Sequence, residues 1–167
     1  DVLGPLGRGF WREEGRERLI LIGGGIGIAP LLPWAEELKG KSGGAKGGAR
    51  ESRIEILLGG KNADRLLGIR EIKKMGLEPQ VATEDGSLGL PGTAIDLLER
   101  ELLSQDHEST VIYACGPPAM LARVAQPAEQ FDVPCQVLLE SRMACGVGAC
   151  LGCAVKIRAE EKEEEGH

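Results

Sequence analysis

Residues 18–30 read RLILIGGGIGIAP, and this stretch decides the fold that the sequence predicts. Its first part, Arg18 to Ile22, is apolar after the opening arginine, which is typical of a parallel strand buried on both faces. Three glycines follow at once, and Pro30 suits the first turn of a helix. A strand, a glycine turn and a helix start together present free N–H groups to a pyrophosphate.

The glycine turn meets the dinucleotide fingerprint G-x-G-x-x-G only in part. Gly23 and Gly25 occupy the first two glycine positions, and Ile28 stands at the third. A turn that needs its glycines merely for packing is therefore an open alternative. NAD and NADP are both open as well. No acid ends the next predicted strand, where it would hold an adenosine ribose, and Lys61 and Arg65 follow instead.

Outward from this stretch, apolar runs alternate with helical segments along the chain. Five strands are predicted, at residues 18–22, 53–58, 78–83, 110–115 and 133–139. Four helices are predicted between them, at residues 30–38, 64–75, 94–103 and 119–129. This alternation predicts an α/β fold with a five-stranded parallel, doubly wound sheet that helices cover on both faces.

Unusual residues follow the predicted strands at their carboxyl ends. In a parallel sheet these ends share one edge, and ligands bind there at the point where the strand order switches. We therefore expect the glycine turn, the loop around Asp85, Cys115 and the start of the cysteine-rich segment to converge on one crevice.

The cysteine-rich segment CGVGACLGC places Cys145, Cys150 and Cys153 at the spacing C-x4-C-x2-C. This spacing is the first part of the plant-type [2Fe–2S] ligand pattern, and the small uncharged residues between the thiols let backbone N–H groups approach a bound cluster. A zinc loop is an alternative because cysteine sets also bind zinc, and a thiol cluster without metal is another.

A fourth cluster ligand does not follow these three cysteines. The chain ends at His167 with no cysteine after Cys153, whereas a [2Fe–2S] cluster takes four ligands. Three explanations are open: the fourth ligand lies beyond the present C-terminus, Cys135 replaces it, or the cluster is incomplete. The first is favoured, because the strand-like run at 154–158 leads nowhere.

The composition excludes several classes of function. The net charge of −6 comes largely from the tail at 160–165, and no basic face indicates nucleic acid. No apolar run approaches the ~20 residues of a membrane span. Five cysteines, an odd number with three clustered, suit a reducing compartment, so a cytoplasmic location is expected. His107 and His167 are the two histidines, which makes histidine acid–base chemistry improbable.

Several motifs together resemble the ferredoxin–NADP reductase superfamily, and they look most like the electron-transfer subunits of type B dihydroorotate dehydrogenase. In chain order they are GPLGRGF (4–10), GGGIGIAPL (23–31), EDGSLGLPG (84–92), CGPPAML (115–121) and LESRMACGVGACLGCAVK (139–156). The second and fourth occur across the superfamily, whereas the cysteine motif is much more specific.

The resemblance implies an NAD-dependent oxidoreductase. Such a subunit takes a hydride from NADH onto FAD and passes single electrons through a [2Fe–2S] cluster. The implied partner is an FMN-containing dihydroorotate dehydrogenase catalytic subunit of pyrimidine synthesis, joined in a heterotetramer. A flavin suits this position because a hydride carries two electrons and the cluster accepts one.

The resemblance also implies roles for particular residues. Cys115 would be the catalytic residue beside the nicotinamide ring, and Cys145, Cys150 and Cys153 would ligate iron. From the residues alone, a buried structural cysteine is an open alternative for Cys115, since free cysteine is among the most buried residues. The residues implied to border the nucleotide or the flavin are Gly4, Pro5, Leu6, Gly7, Gly24, Gly25, Gly27, Asp85, Gly86, Gly116 and Pro117.

By the same resemblance, residues 1–16 would be the remnant of a flavin-barrel exit segment, 17–139 a ferredoxin reductase-like NAD-binding domain, and 140–167 an incomplete cluster-binding segment. The flavin barrel and the fourth cysteine are expected outside this sequence, so the chain alone is expected to be inactive. Alternative functions are a related subunit serving a hydrogenase, sulfide or transhydrogenase partner, a zinc-stabilised nucleotide-binding module, and a scaffold that uses the cysteine loop as an interface.

Overall fold

The computed structural model describes residues 7–42, 52–104, 107–141 and 143–155, with no side-chain description at 41 and 42. The chain divides into two compact units. Gly9–Leu139 forms one, and the residues on either side of it form the other. Within the described ranges, every strand and helix belongs to the first unit. No helix found there is long and apolar enough to cross a membrane.

The sheet is parallel throughout, as predicted, but it has six strands instead of five. The strands are β1 (Arg18–Gly24), β2 (Arg53–Gly60), β3 (Gln80–Thr83), β4 (Leu90–Pro91), β5 (Thr110–Cys115) and β6 (Cys135–Leu138). Their spatial order is β4-β3-β2-β1-β5-β6. All seven residues of β1 are buried, as expected for the apolar run at the centre of a doubly wound sheet.

The additional strand β4 lies in the segment that the sequence analysis assigned to a glycine loop. Leu90 and Pro91 pair with Ala82 and Thr83 of β3. The loop can return to β3 because Gly89 has φ +73° and lies so close to it that an added Cβ would stand 2.0 Å from the Val81 carbonyl oxygen. A strand of two residues carries no apolar period, so the sequence pattern could not predict it.

Among the described residues, four α-helices cover the sheet, two on each face. They are α1 (Ile28–Ser42), α2 (Ile69–Lys74), α3 (Ala94–Ser104) and α4 (Pro118–Gln130). Helices α1 and α2 share one core with alternate residues of the central strands, and α3 and α4 share the other. The predicted layers are therefore correct, and both faces of the sheet are covered.

The predicted helix over residues 64–75 is wrong in its first half. Asn62 caps a short 3-10 turn over Ala63–Arg65, accepting a hydrogen bond from the Arg65 N–H at 3.1 Å. The chain then becomes extended, and α2 begins only after Gly68, which has φ +80°. A side chain at this glycine would be strained and would stand 2.8 Å from Ile28 Cγ1. Close packing on α1 therefore interrupts the helix.

A buried ionic network joins β1, β2 and α3. Arg18 is 5% exposed and forms two hydrogen bonds of 2.8 Å with the Glu55 carboxylate and one of 2.6 Å with Glu101. Arg53 pairs with the same Glu55 at 2.8 Å, and Gln80 donates to Glu101 at 2.7 Å. Since each buried charge has partners, the network can be accommodated inside the fold.

Candidate functional site

The strand order switches at β1, because β2, β3 and β4 lie on one side of it and β5 and β6 on the other. A cleft of about 770 Å³ opens at the carboxyl edge of the sheet. It is lined by the turn after β1, the end of β2, the residue after β3, the start of α3 and the first turn of α4. Ligands of doubly wound folds bind at this position.

The glycine turn after β1 serves both the cleft and the packing of the sheet. Gly25 lines the cleft at φ +56°, and nothing lies within 4 Å of the position that its Cβ would occupy. Gly27 is buried, and an added Cβ would stand 2.3 Å from the Cys115 carbonyl oxygen. The open part of the turn can thus approach a ligand, whereas Gly27 lets the turn pack on the end of β5.

A methionine fills the space between the turns that follow β1 and β5. A Cβ on Gly24 would stand 2.3 Å from Met120 Sδ, and a Cβ on Gly116 would stand 2.7 Å from it. Gly24, Pro117 and Met120 all line the cleft. A side chain at either glycine would therefore displace the end of the Met120 side chain, a contact that the sequence pattern did not reveal.

Cys115, the predicted catalytic residue, is 3% exposed. Its side chain belongs to the core cluster on the α1 face of the sheet, together with Tyr113 and Leu21. In the described part of the chain, the cleft lining does not include it. The backbone of Cys115 reaches the carboxyl edge of the sheet, but its thiol faces the core, and the catalytic role stays a prediction.

The predicted Asp85 side chain holds its own loop together. It accepts hydrogen bonds from the Ser87 hydroxyl at 2.6 Å and the Ser87 N–H at 2.9 Å, which lower the pKa of the carboxyl below its ordinary value. Ser87 Oγ accepts from the Ala63 N–H at 2.8 Å, which joins this loop to the 3-10 turn. Gly86 completes the turn at φ +70°. The acid of this loop that lines the cleft is the neighbouring Glu84.

Charged and apolar side chains both line the cleft. Lys61, Asp64 and Arg65 line it beyond the end of β2. Pro117, Met120 and Arg123 line it along the start of α4. Of these, Asp64, Met120 and Arg123 were not predicted as site residues; Asp64 was expected only at the start of a helix. Met120 read as an ordinary helix residue, because only the packing of the two turns reveals its place.

The start of α3 forms a further wall of the cleft. Thr93 donates to Asp96 from its hydroxyl at 2.7 Å and from its N–H at 2.6 Å, and these bonds lower the pKa of the Asp96 carboxyl. Thr93 is thus the donor in both side-chain hydrogen bonds at the start of α3. Asp96 fixes the turn that leads into Ala94.

In the second unit, the cysteine loop directs backbone N–H groups toward a sulfur. The Cys150 N–H lies 3.5 Å from Cys145 Sγ, and hydrogen bonds from Cys150 first, then from Val147, lower the pKa of the Cys145 thiol to about 6. Left-handed conformations at Gly146 and Gly148, with φ +70° and +76°, shape this part of the loop. N–H groups turned inward in this way form a concavity suited to an anion.

The donor set fits an iron–sulfur cluster in its chemistry. Thiolates ligate such clusters, and N–H groups directed at sulfur stabilise their negative charge. Cys145 and Cys153 are half-buried and Cys150 is exposed. Over residues 7–42, 52–104, 107–141 and 143–155, no three His, Cys, Asp or Glu side chains converge closely enough to hold a metal ion.

Cys135, the possible fourth cluster ligand, and the residues expected to border the flavin were also predicted as site residues. Burial raises the pKa of the Cys135 thiol, in the first unit, to about 12, so this side chain is held as a neutral thiol. Gly7 is exposed with φ +82°. The predicted flavin-bordering residues Gly4, Pro5 and Leu6 lie outside the described residues.

Two family models match the chain over consecutive parts. Residues 21–126 match the oxidoreductase NAD-binding domain, which covers the strand switch and the cleft. Residues 140–167 match the iron–sulfur cluster binding domain of dihydroorotate dehydrogenase B, which covers the cysteine loop. The two matches support the predicted NAD(H) and [2Fe–2S] cofactors.

The curated relatives carry the name of one kind of subunit. The chain is 41% identical over 156 residues to a probable dihydroorotate dehydrogenase B (NAD(+)) electron transfer subunit of Methanopyrus kandleri, covering 92% of this chain and 54% of the relative. It is 36% identical to the corresponding subunit of Desulforamulus reducens, covering 94% and 56%. The chain thus spans about half the length of the curated relatives it matches.

Solved structures agree with this fold. The NADH-dependent reduced ferredoxin–NADP oxidoreductase studied for flavin-based electron bifurcation matches with a TM-score of 0.70 and 32% identity, over 92% of this chain and 51% of that one. The cytochrome b5 reductase domain of Ulva prolifera nitrate reductase matches with a TM-score of 0.57 and 17% identity, over 81% of this chain and 58% of that one, which shows the fold alone. The flavin-based neighbour adds support for FAD as the third predicted cofactor.

The chain therefore belongs to the oxidoreductase NAD-binding domain family and is similar, through its cysteine segment as well, to the electron transfer subunits of dihydroorotate dehydrogenase B.

Proposed function

We propose that this chain supplies the NAD-binding and cluster-binding parts of an electron-transfer subunit. The subunit passes electrons from NADH, through FAD and a [2Fe–2S] cluster, to an FMN-containing dihydroorotate dehydrogenase catalytic subunit in a heterotetramer. One observation carries the proposal: the cysteine segment at 140–167 matches the cluster-binding domain of that enzyme and follows a domain with a cleft at its strand switch.

The cofactors supply the redox chemistry, since a flavin takes up a hydride and gives out electrons singly, as an iron–sulfur cluster requires. Cys145, Cys150 and Cys153 are the proposed cluster ligands. The N–H group of Cys150, directed at Cys145 Sγ, favours the thiolate form that a metal ligand needs. The contribution of the protein is to hold the cluster and to tune its potential through such hydrogen bonds.

The cleft is the proposed nucleotide site. The open backbone of Gly25 and the adjoining start of α1 can receive the pyrophosphate, because a helix start offers unpaired N–H groups. Lys61 and Arg65 add positive charge along the same wall.

Affinity purification of the natural protein, together with the proteins associated with it, tests the proposed partner. The purified complex is assayed anaerobically for the reduction of orotate by NADH. We expect a dihydroorotate-oxidising flavoprotein in the complex and orotate-dependent oxidation of NADH. A complex that lacks such a protein and oxidises NADH without any response to orotate would contradict the proposal.

A second candidate is a related subunit that serves a transhydrogenase partner. It is favoured by the similarity to the NADH-dependent reduced ferredoxin–NADP oxidoreductase, at 32% identity over 92% of this chain. The same preparation separates the two candidates. Reduction of NADP⁺ by NADH together with reduced ferredoxin, in the absence of any response to orotate, would favour the transhydrogenase partner.

A further inference from the structure

Two of the three thiols in the cysteine loop face each other. The Cys150 N–H is directed at Cys145 Sγ at 3.5 Å, and the Cys150 side chain is a hydrogen-bond donor to the same sulfur. Within the part of the loop that the structure describes, at 143–155, Cys153 is not close enough to these two for the three thiols to hold a metal ion. The loop therefore presents one thiol pair and one separate thiol.

The turns of the loop explain this pairing. Gly146 and Gly148 lie between the paired thiols with φ +70° and +76°, conformations that a residue with a Cβ rarely adopts. They bend the chain so that the two sulfurs approach each other. A second turn, in which the Ala154 N–H donates to the Leu151 carbonyl oxygen at 3.0 Å, contains Cys153. The pair and the separate thiol thus belong to different turns.

The paired thiols differ in their access to solvent. Cys150 is exposed, and Cys145 is half-buried. Val147 and Leu151, the large apolar side chains beside them, are 66% and 71% exposed, so the loop is open to a small molecule at this point. An exposed thiol with a second thiol against it is the arrangement in which a first oxidation product is resolved into a disulfide.

We propose that Cys145 and Cys150 close a disulfide whenever the loop carries no cluster, a modification whose consequence rests on the proposed cluster site. The oxidant is a low-molecular-weight disulfide such as oxidised glutathione. Cys150 attacks one of its sulfurs, which breaks the S–S bond, releases one reduced glutathione and leaves the other bound to Cys150. Cys145 then attacks the Cys150 sulfur, and the second reduced glutathione leaves. The two protein thiols lose two electrons and two protons, and the two released glutathione molecules carry them.

The bridge controls when a cluster can be loaded. A metal ligand must be a thiolate, so the disulfide withdraws two of the three proposed ligands and leaves only Cys153. Loading then requires a two-electron reduction that restores both thiols. The cysteine loop is therefore both the proposed cluster site and the site of a reversible modification that protects two ligands from further oxidation.

Peptide mapping of the natural protein tests the pairing, after a chelator has removed its metal and oxidised glutathione has been added. Trypsin cleaves after Arg142 and Lys156 and so places the three thiols of the loop on one peptide, apart from the other two cysteines of this chain. The mass of this peptide should fall by about 2 Da, the two hydrogens lost on closing the bridge.

Two matched serine variants decide which thiols are joined. Cys153→Ser removes the separate thiol, and its peptide should show the same loss of mass. Cys145→Ser removes the partner of Cys150, and its peptide should keep one bound glutathione instead of closing a bridge. A peptide of the unaltered protein that forms no bridge would overturn the proposal. It would also be overturned by a bridge that Cys153→Ser abolishes, or by one that Cys145→Ser retains.

The consequence for loading is measured with ferrous iron and sulfide. The bridged protein should take up less than about a tenth of the iron that it takes up after reduction by dithiothreitol. Full uptake by the bridged protein would overturn the control of loading. A protein that forms the predicted bridge but takes up no iron after reduction would confirm the pairing and contradict the proposed function.

Discussion

Arg18 holds a charge at the start of the central strand, where its guanidinium is almost fully enclosed. Its bonds to Glu55 and Glu101 make the enclosure tolerable, since a buried charge without partners is costly. Glu55 is in turn shared between Arg18 and Arg53. The network links three elements at the buried start of the sheet, so removing one partner should affect the whole domain.

The substitution Glu55→Gln tests this dependence. It leaves the Arg18 charge with a single carboxylate, and we expect it to lower the free energy of unfolding by about 3 kcal/mol, as when a buried ion pair loses one partner. Urea denaturation measures the change. Glu78→Gln is the control, because the Lys73–Glu78 pair is exposed and should contribute less than about 0.5 kcal/mol. A loss below about 1 kcal/mol for Glu55→Gln would mean that the network is not important for stability.

The Cys135 thiol should make the free energy of unfolding depend on pH. Burial raises the pKa of its thiol from an ordinary value of 9.0 to about 12. Below pH 9 both the folded and the unfolded chain hold the proton, so the thiol has no pH-dependent effect. As pH rises above 9 the unfolded chain ionises first, and stability falls until the pKa of the folded state is reached.

The variant Cys135→Ala isolates this effect. The free energy of unfolding, measured by urea denaturation between pH 8 and about 10.5, should fall less steeply in the variant than in the unaltered chain. The difference between the two curves cancels the other groups that titrate in this range. Identical slopes would show that the thiol is not held in a buried neutral form.

At the scale of elements, the turn between β1 and α1 has two glycines with different requirements. Gly27 packs on the backbone of β5, and an added Cβ would stand 2.3 Å from the Cys115 oxygen. Gly25 faces open space, and its φ of +56° is the sole obstacle to a side chain. The same turn therefore combines a packing contact at Gly27 with an open backbone at Gly25, which lines the cleft.

Alanine at each position separates these requirements. Gly27→Ala should lower the free energy of unfolding by more than about 2 kcal/mol, because it forces the turn away from β5. Gly25→Ala should lower the free energy of unfolding by about 1 kcal/mol, the penalty of a left-handed conformation. Its effect on the free energy of NADH binding should be larger than its effect on the free energy of unfolding. Thermal unfolding and calorimetry on the two variants measure both quantities. If the two variants lose the same free energy of unfolding, the packing role assigned to Gly27 is contradicted.

The sequence predicted those elements whose patterns are long enough to detect. The apolar runs of β1, β2 and β5 identified the central strands, and Pro30 correctly placed the first turn of α1. The two-residue strand β4 was missed because it has no period to detect. The break before α2 was missed because Gly68 reads as a tolerated helix glycine until its contact with Ile28 is known.

The site was predictable as a location more than as a set of contacts. Parallel strands bring their carboxyl ends to one edge, and a cleft that Gly24, Gly25 and Pro117 line lies there. Asp85 and Cys115, which were expected in the same crevice, are not among its lining residues in the described part of the chain. The direction of the Cys115 side chain could not be inferred, because both faces of a doubly wound sheet are buried and apolar. Met120 was missed for a similar reason: a half-buried methionine looks the same in a core and in a ligand cleft.

At the scale of the whole molecule, two chemical functions occupy separate parts of the chain. The parallel sheet carries the proposed nucleotide cleft on its carboxyl edge, and the segment after it carries three thiols in a glycine-rich loop. Family matches at 21–126 and 140–167 correspond to these two parts. The proposed electron path requires both, so loss of the cluster should leave nucleotide binding intact.

That separation gives a further prediction. Cys145→Ser should abolish iron binding in the natural protein, because a hydroxyl replaces the thiolate toward which the Cys150 N–H is directed. NADH binding by calorimetry should stay within about twofold of the unaltered protein, since the cleft lies in the other unit. Cys135→Ser is the matched control and should retain the iron. A variant that keeps its full iron content after loss of Cys145 would exclude this residue as a ligand.

The central claim is that the cysteine loop holds a [2Fe–2S] cluster. The most direct measurement is an anaerobic visible spectrum of the purified natural protein, with iron, zinc and acid-labile sulfide assayed on the same sample. The account predicts about two iron and two sulfide per chain, with visible absorption that bleaches on reduction by NADH once FAD is present. A colourless protein with one equivalent of zinc and no sulfide would contradict it.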